Sequence, residues 1–450
     1  MVSNISENNR IERLRAVIDD GAVQQAGRML NALTSGEIAH LLESLPHAER
    51  AILWDLVDPN MDGEILVQVT DNVRDHLISQ MDRSELLSVA EGLDLDDLAD
   101  LVLELPETIT PILMASLDSQ HRQRLEAVLS YPDNNAGHLM NVDTVTVRPE
   151  VTLDVVLRYL RQLGDNVPVN TDSLIVVDRN NKYLGILSLA ALVSHDTSDI
   201  VAQVMSLDVL PILATTDDNE VARQFEQHDL ISAPVVDEQG QLLGRITIDD
   251  IVDVIREEGE HQFMGQAGLS EDEDMFAPVL ISARRRALWL GINLLTAIMA
   301  SFVISIFDAT LEKVVALAVL MPIVASMGGI AGSQTLALTI RGLALGQLSS
   351  SNTRWLIFKE FAVGSINSLI WAVLIAIIAG LWFNNLQIAI LIGVAMSINL
   401  IIAGVMGTML PVMLDKIGID PALAGSVLLT TVTDIVGFVA FLGLATIYLF

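Results

Sequence analysis

The sequence predicts a multidomain fold: an α-helical superhelix, then a paired α/β module, then an all-α transmembrane bundle of five helices. Three observations carry this. An apolar residue recurs every twelve positions through the first 130 residues, two similar strand-and-helix blocks follow over about 137–256, and five apolar runs of spanning length close the chain. The expected boundaries are 1–130 for the superhelix, 131–256 for the α/β pair, 257–286 for an acidic connecting helix and 287–450 for the membrane bundle.

Composition narrows the function. The chain has 450 residues, 51% of them hydrophobic, and a mean hydropathy of +0.49 that comes mostly from its last third. The formal charge of −32 is concentrated in residues 1–286, which hold 51 of the 57 acids and 20 of the 25 bases. So acidic a soluble half repels itself unless cations screen it. That argues against nucleic acid or anionic lipid as a partner and for divalent cations; a merely solubilising acidic surface is the alternative. Cysteine is absent, which excludes disulfides and thiolate metal sites. The start, MVSNISENNR, has no apolar stretch and is not a signal peptide. Histidines are scattered and no nucleophile is paired with a base, so the chain is not read as an enzyme.

In the first segment, a twelve-residue step from Leu33 lands on Leu45, Val57, Val69, Met81, Leu93, Leu105, Leu117 and Leu129. The next residue is each time a capping or breaking type: Thr34, Pro46, Asp58, Thr70, Asp82, Asp94, Pro106, Asp118 and Ser130. Each unit is therefore a short helix ending in a turn, and pairs of about 24 residues suit a helical solenoid. Asp96, Asp97 and Asp100 cluster in the first turns of one such helix. Carboxylates there are favoured by the helix N-terminus, and they equally suit a hard cation bridging to another acidic surface.

A polar linker at Tyr131–Asn135 precedes the two blocks. The first reads LMNVDTVTVRPEVTLDVVLRYL, then SLIVVDRNNKYLGILSLAAL; the second reads VMSLDVLPILATTDDNEVARQF, then SAPVVDEQGQLLGRITIDDIV. Each is a short strand, a helix, a strand ending in an Asp turn, a strand opened by Gly, and a helix. The blocks resemble a tandem pair of CBS domains, a fold that often binds adenosine nucleotides between its halves. The ribose-contacting pattern of that family, Ser or Thr with Asp three residues on, is met by Thr247 and Asp250 but not by Ser188 and Ala191. ATP is thus a candidate cofactor. Acids recur through the second block at Asp217, Asp218, Asp229, Asp249, Asp250, Asp253, Glu257 and Glu258. Asp250, Asp253 and Glu257 share one helix face, where like charges are unfavourable unless cations neutralise them; a solvated face is the alternative.

The membrane runs are expected at Ala287–Phe307, Val314–Ile340, Phe361–Phe383, Ile388–Leu414 and Ala422–Phe450. Arg284, Arg285 and Arg286 before the first run place that end in the cytoplasm, and five spans then put the C-terminus outside. Arg341, Arg354 and Lys359 fall on the inner side in this arrangement. Span two carries Pro322, Gly328, Gly329 and Gly332, which predict local unwinding along an ion path or else close helix packing. Span five holds one carboxylate, Asp434, with Thr430 and Thr431 a turn before it and Gly437 a turn after. An ionised Asp inside a bilayer is costly and usually marks an ion path, although Thr hydroxyls could satisfy it as a structural residue.

The order of domains, with PIVASMGGIAGSQTLALTIRGLA and GIDPALAGSVLLTTVTDIVG, resembles the MgtE family of magnesium channels over essentially the whole chain. The resemblance implies a homodimer with one pore on its axis, in the bacterial cell (inner) membrane. It implies Asp434 as the selectivity residue. As magnesium-sensing acids it implies Asp96, Asp100, Asp217, Asp229, Asp250, Asp253, Glu258 and Asp420, and as pore plug the connecting helix. Gly328, Gly329, Gly332, Thr430, Thr431 and Gly437 are the expected pore lining. Function then reads as Mg²⁺ uptake down its gradient, gated by internal Mg²⁺. A carrier of Mg²⁺, Mn²⁺ or Co²⁺ coupled to H⁺ or Na⁺, and a membrane-tethered nucleotide sensor, are the competing classes.

Overall fold

The structure is a computed structural model that describes residues 23–449, except 94, 106–108, 169, 271–272 and 350. Contacts divide the chain into two units, Met1–Arg256 with Asp272–Pro278, and Glu257–Glu271 with Val279–Phe450.

The first unit opens with the helical array. Helices start at Ser35, His47, Asp71, Arg83, Leu95 and Ser119, in step with the twelve-residue repeat. Two others start three residues late, at Asp62 and Thr110. After Asp58 the delay has a cause: its carboxylate accepts from the backbone and side chain of Asn60, an Asx turn that holds the chain out of the helix. Thr34 and Asp82 form capping boxes with Glu37 and Glu85, and Asp118 caps the helix from Ser119. Asp94 and Pro106 lie outside the described residues. The stepping residues are the core: Leu45, Val57, Val69 and Leu105 are buried, and Leu33, Met81, Leu93, Leu117 and Leu129 pack against them. Ser35–Glu43 packs mainly on Asp62–Gln68 and Leu95–Glu104 mainly on Ser119–Val128, each the next helix but one, so the true unit is a helix pair. A recurring arginine marks it. Arg50, Arg74 and Arg122 each donate from Nε to a carbonyl eight residues back and from Nη2 to one five residues back. These bonds satisfy carbonyls at the end of the preceding helix that the helix itself leaves open.

Two three-stranded sheets follow. β1 (Thr146–Val147), β2 (Ser173–Val177) and β3 (Tyr183–Ser188) form one, and β4 (Ile212–Leu213), β5 (Ser232–Val236) and β6 (Leu242–Thr247) the other. In each, the first pair is parallel and the second antiparallel, with a register shift at the same place, Val176/Val177 and Val235/Val236. Each third strand also pairs with a linking segment, Ile186 with Ser206 and Arg245 with Asn141. Gly185 and Gly244 make this possible. A Cβ at either would sit 2.5 or 2.6 Å from the carbonyl oxygen of Ser206 or Asn141.

The expected connecting helix over 257–286 is in fact two pieces. One helix runs unbroken from the end of β6, Ile248–Gln266, and stops where Gly268 takes φ +70°. The described residues 273–278 then belong to the first unit, and a new helix starts at Val279. Arg284–Arg286 consequently lie within the first spanning helix.

Among its described residues the second unit contains five helices long and apolar enough to cross a membrane: Val279–Ser305, Val315–Ala344, Thr353–Phe383, Leu386–Lys416 and Pro421–Leu449. Span four is the most buried and packs on spans two, three and five. Span two is a continuous helix through Pro322 and its three glycines, so the expected unwinding does not occur. Hydrocarbon offers no hydrogen-bond partners, so the helix stays closed; Gly328 and Gly332 serve close packing, against Asn399 and Leu429, while Gly329 has open space beside it.

Candidate functional site: a groove between spans two and five

One face of span two and one of span five enclose a groove of about 570 Å³. Ala325, Ser326, Gly329, Ile330, Ser333, Gln334 and Ala337 form one wall, and Thr430 and Asp434 the other. Asp434 is half-buried, and most of the groove's other side chains are small, Ile330 and Gln334 being the exceptions. The groove's remaining oxygens come from Ser326, Ser333, Gln334 and Thr430, whose hydroxyl donates to the Ser426 carbonyl at 2.9 Å. Ser326, Ser333 and Gln334 were missed by sequence reasoning, although Ser326, Gly329, Ser333 and Ala337 follow the i, i+3, i+7, i+11 spacing of one helix face.

Of the six expected lining residues, Gly329 and Thr430 are in the groove and four are elsewhere. A Cβ on Gly328 would lie 2.2 Å from Asn399 Nδ2, and one on Gly437 2.8 Å from the same atom. Gly332 faces Leu429. Thr431 is buried and donates back to the Val427 carbonyl. These four face helix contacts because only one side of a packed helix is left for the groove.

The expected sensor acids are dispersed among partners. Among the described residues no three His, Asp or Glu side chains gather as a metal cage. Asp96 lies on the helix Leu95–Glu104, its side chain outside the described set. Asp100 is 2.9 Å from His138 Nε2, and Asp217 pairs with Asn135, so both flank the 134–138 turn. Asp217 caps the helix Asp218–His228, and Asp229 ends it in the left-handed conformation at φ 51°. Asp253 contacts Arg256 at 3.3 Å, and Glu258 accepts from Gln262 at 2.6 Å. Asp420 caps span five through the Ala422 amide and lies 2.8 Å from His261 Nε2 on the connecting helix. Asp250 Oδ2 accepts from both the amide and the hydroxyl of Thr247. Burial above all, reinforced by Asp249 and Asp253 and opposed by those hydrogen bonds, pushes Asp250 up to about 6. In the first half Ser188 instead caps the helix Leu189–Ser194 through the Ala191 amide.

The profile of MgtE, described as a divalent cation transporter, matches residues 321–444, and that of the MgtE intracellular N domain matches 33–134. CBS profiles match 136–197 and 201–257. The chain belongs to the MgtE family. The magnesium transporter MgtE of Bacillus subtilis is 27% identical over 100% of this chain and 99% of its own length. That of Thermus thermophilus is 29% identical, over 97% and 98%. Among solved structures, the cytosolic domain of the Mg²⁺ channel MgtE in complex with ATP covers 54% of this chain and 99% of its own, at 29% identity and a TM-score of 0.50. Every groove residue falls inside the 321–444 match to MgtE.

This MgtE chain holds a second membrane carboxylate that sequence reasoning passed over. Glu360 on span three is 5% exposed; it accepts from Thr335 of span two at 3.2 Å and from Lys359 at 2.9 Å. Its signal in the sequence was position alone, directly before the expected apolar run at Phe361–Phe383, and the helix that begins at Thr353 takes it inside.

Proposed function

We propose that this chain is a magnesium channel, in which hydrated Mg²⁺ passes through the groove and is selected by Asp434. The supporting observation is Asp434 opening, with hydroxyl and amide oxygens, into a groove of mostly small side chains within the transporter match. Magnesium sheds water reluctantly and is held by one or two carboxylates, so a single Asp per chain suffices if a second copy closes the open side. The homodimer is part of this reading. The N-terminal domains lie in the cytoplasm and the C-terminus outside, and the membrane potential, about 2.3 kcal/mol per charge per 100 mV, drives uptake.

Internal Mg²⁺ closes the channel in this account. Its ligands are Asp96, Asp100, Asp217, Asp229, Asp250, Asp253, Glu258 and Asp420, which take the ion through its waters one or two at a time, in keeping with the lack of a three-ligand cage among the described residues. Closure needs tighter binding to the compact state than to the open one. ATP fits the second half-site: Asp250 has Oδ1 left for a ribose hydroxyl, whereas Ser188 is committed to capping. Patch-clamp recording of reconstituted protein tests the proposal. Native chains should pass Mg²⁺ in single-channel steps that Asp434→Asn abolishes. Flux without such steps, dependent on an H⁺ or Na⁺ gradient, would establish a coupled carrier of Mg²⁺, Mn²⁺ or Co²⁺ instead.

A further inference from the structure

Asn399 is a fully buried polar side chain beside the groove, and nothing above gives it a role. It sits on span four at 0% exposure, and its Nδ2 donates to the Val324 carbonyl of span two at 2.8 Å. Its Oδ1 has no hydrogen-bond partner among the described residues. Two glycines make its space. Gly328 on span two and Gly437 on span five both approach Asn399 more closely than any side chain would permit. Gly328 precedes groove-lining Gly329, and Gly437 lies one turn after Asp434, so Asn399 is wedged behind both walls at the level of the carboxylate.

A buried amide with an unpaired oxygen is unfavourable, and an apolar side chain would avoid that cost. What Asn399 adds is a directional bond to a span-two carbonyl at the point where spans two, four and five meet. We propose that Asn399 is a positioning residue for ion selection: it sets the separation of Asp434 from the Gly329 wall without touching the ion. This rests on the groove being the pathway.

The test uses the full chain in liposomes, with Mg²⁺ flux and the Mg²⁺/K⁺ permeability ratio as readouts. Asn399→Ala is expected to lower the flux about 10- to 100-fold, the effect typical of losing a residue that orients a metal-contacting group, and to lower the permeability ratio. Gly328→Ala should do the same by driving its methyl into the amide. Asn399→Asp should restore most of both, because a carboxyl this deeply buried is neutral and its OH can donate to Val324. A purely space-filling role predicts instead that Asn399→Leu restores both as well as the nearly isosteric Asn399→Asp does, and that result overturns the inference. Native flux and ratio in Asn399→Ala, or Asn399→Asp no better than alanine, overturn the inference. If Asn399→Ala does not fold, the Asp, Leu and Gly328→Ala variants decide it. Asp434→Asn runs beside them: if it leaves flux intact the pathway reading fails, and if it abolishes flux while the Asn399 set is silent only the positioning role fails.

Discussion

Deleting the Asp274 carboxylate should release the segment just before span one from the helical array. Arg50, fully buried, makes the carbonyl bonds of the recurring arginines, to Leu42 at 2.9 Å and Leu45 at 3.1 Å, and adds one to Asp274 at 2.9 Å. The Asp274 side chain is 3% exposed, lies 3.2 Å from His47 Nε2 and accepts from the Phe276 amide at 2.8 Å. Burial alone would raise its pKa, yet hydrogen bonds from Arg50 and the Phe276 amide hold it below the usual carboxylate range. Removing one partner of such a pair strands the other charge, at about 3–5 kcal/mol. For the amides around Phe276 that corresponds to roughly 10²- to 10⁴-fold faster hydrogen exchange. Exchange in detergent-solubilised full chains of Asp274→Ala and Arg50→Ala measures it. The double change Arg50→Met with Asp274→Leu should be looser than native but tighter than either single variant, since no charge is left stranded although the Leu42 and Leu45 carbonyls lose their donor and the Phe276 amide its acceptor. Acceleration below tenfold in both single variants, or a double variant as loose as either, refutes the reasoning.

Asp62 gives a pH prediction. Burial, then the charges of Glu85 and Asp58, push it up to about 6, so the stability it contributes is present below about 4 and is lost as pH rises through 6. Asp62→Asn should therefore stabilise the soluble part by about 1 kcal/mol at pH 7.5, discounted for its partial exposure, and by nothing at pH 3.5; equal thermal midpoints at pH 7.5 would count against this. In span three, Glu360→Ala removes the tie to Thr335 and should lower membrane-domain stability by roughly 1 kcal/mol, with Glu360→Gln nearer native; thermal unfolding in detergent reads the difference. Neutralising Asp250 and Asp253 together should leave channels open at high internal Mg²⁺ in excised patches, and unchanged closure would remove both from the gating account.

Much was legible in the chain alone because burial in water leaves a period. The twelve-residue step placed the core of the array and three of its caps, Thr34, Asp82 and Asp118, while Thr70 makes no side-chain capping bond. Matching Asp turns and glycines placed the strands of both sheets, and length with apolarity placed five spans within a few residues, save the first and the third, each of which begins eight residues early. Asp434 was found because a carboxylate stands out against hydrocarbon. Tertiary structure decided the rest. Inside a bilayer, lipid-facing and protein-facing residues are both mostly apolar, so the spacing of Ser326, Gly329, Ser333 and Ala337 marks a face of span two without saying whether it meets a packed helix or a groove. Gly328 and Gly329, adjacent in sequence, serve different purposes. Likewise the Arg50–Asp274 pair joins positions 224 apart, and no local propensity encodes a partner so distant.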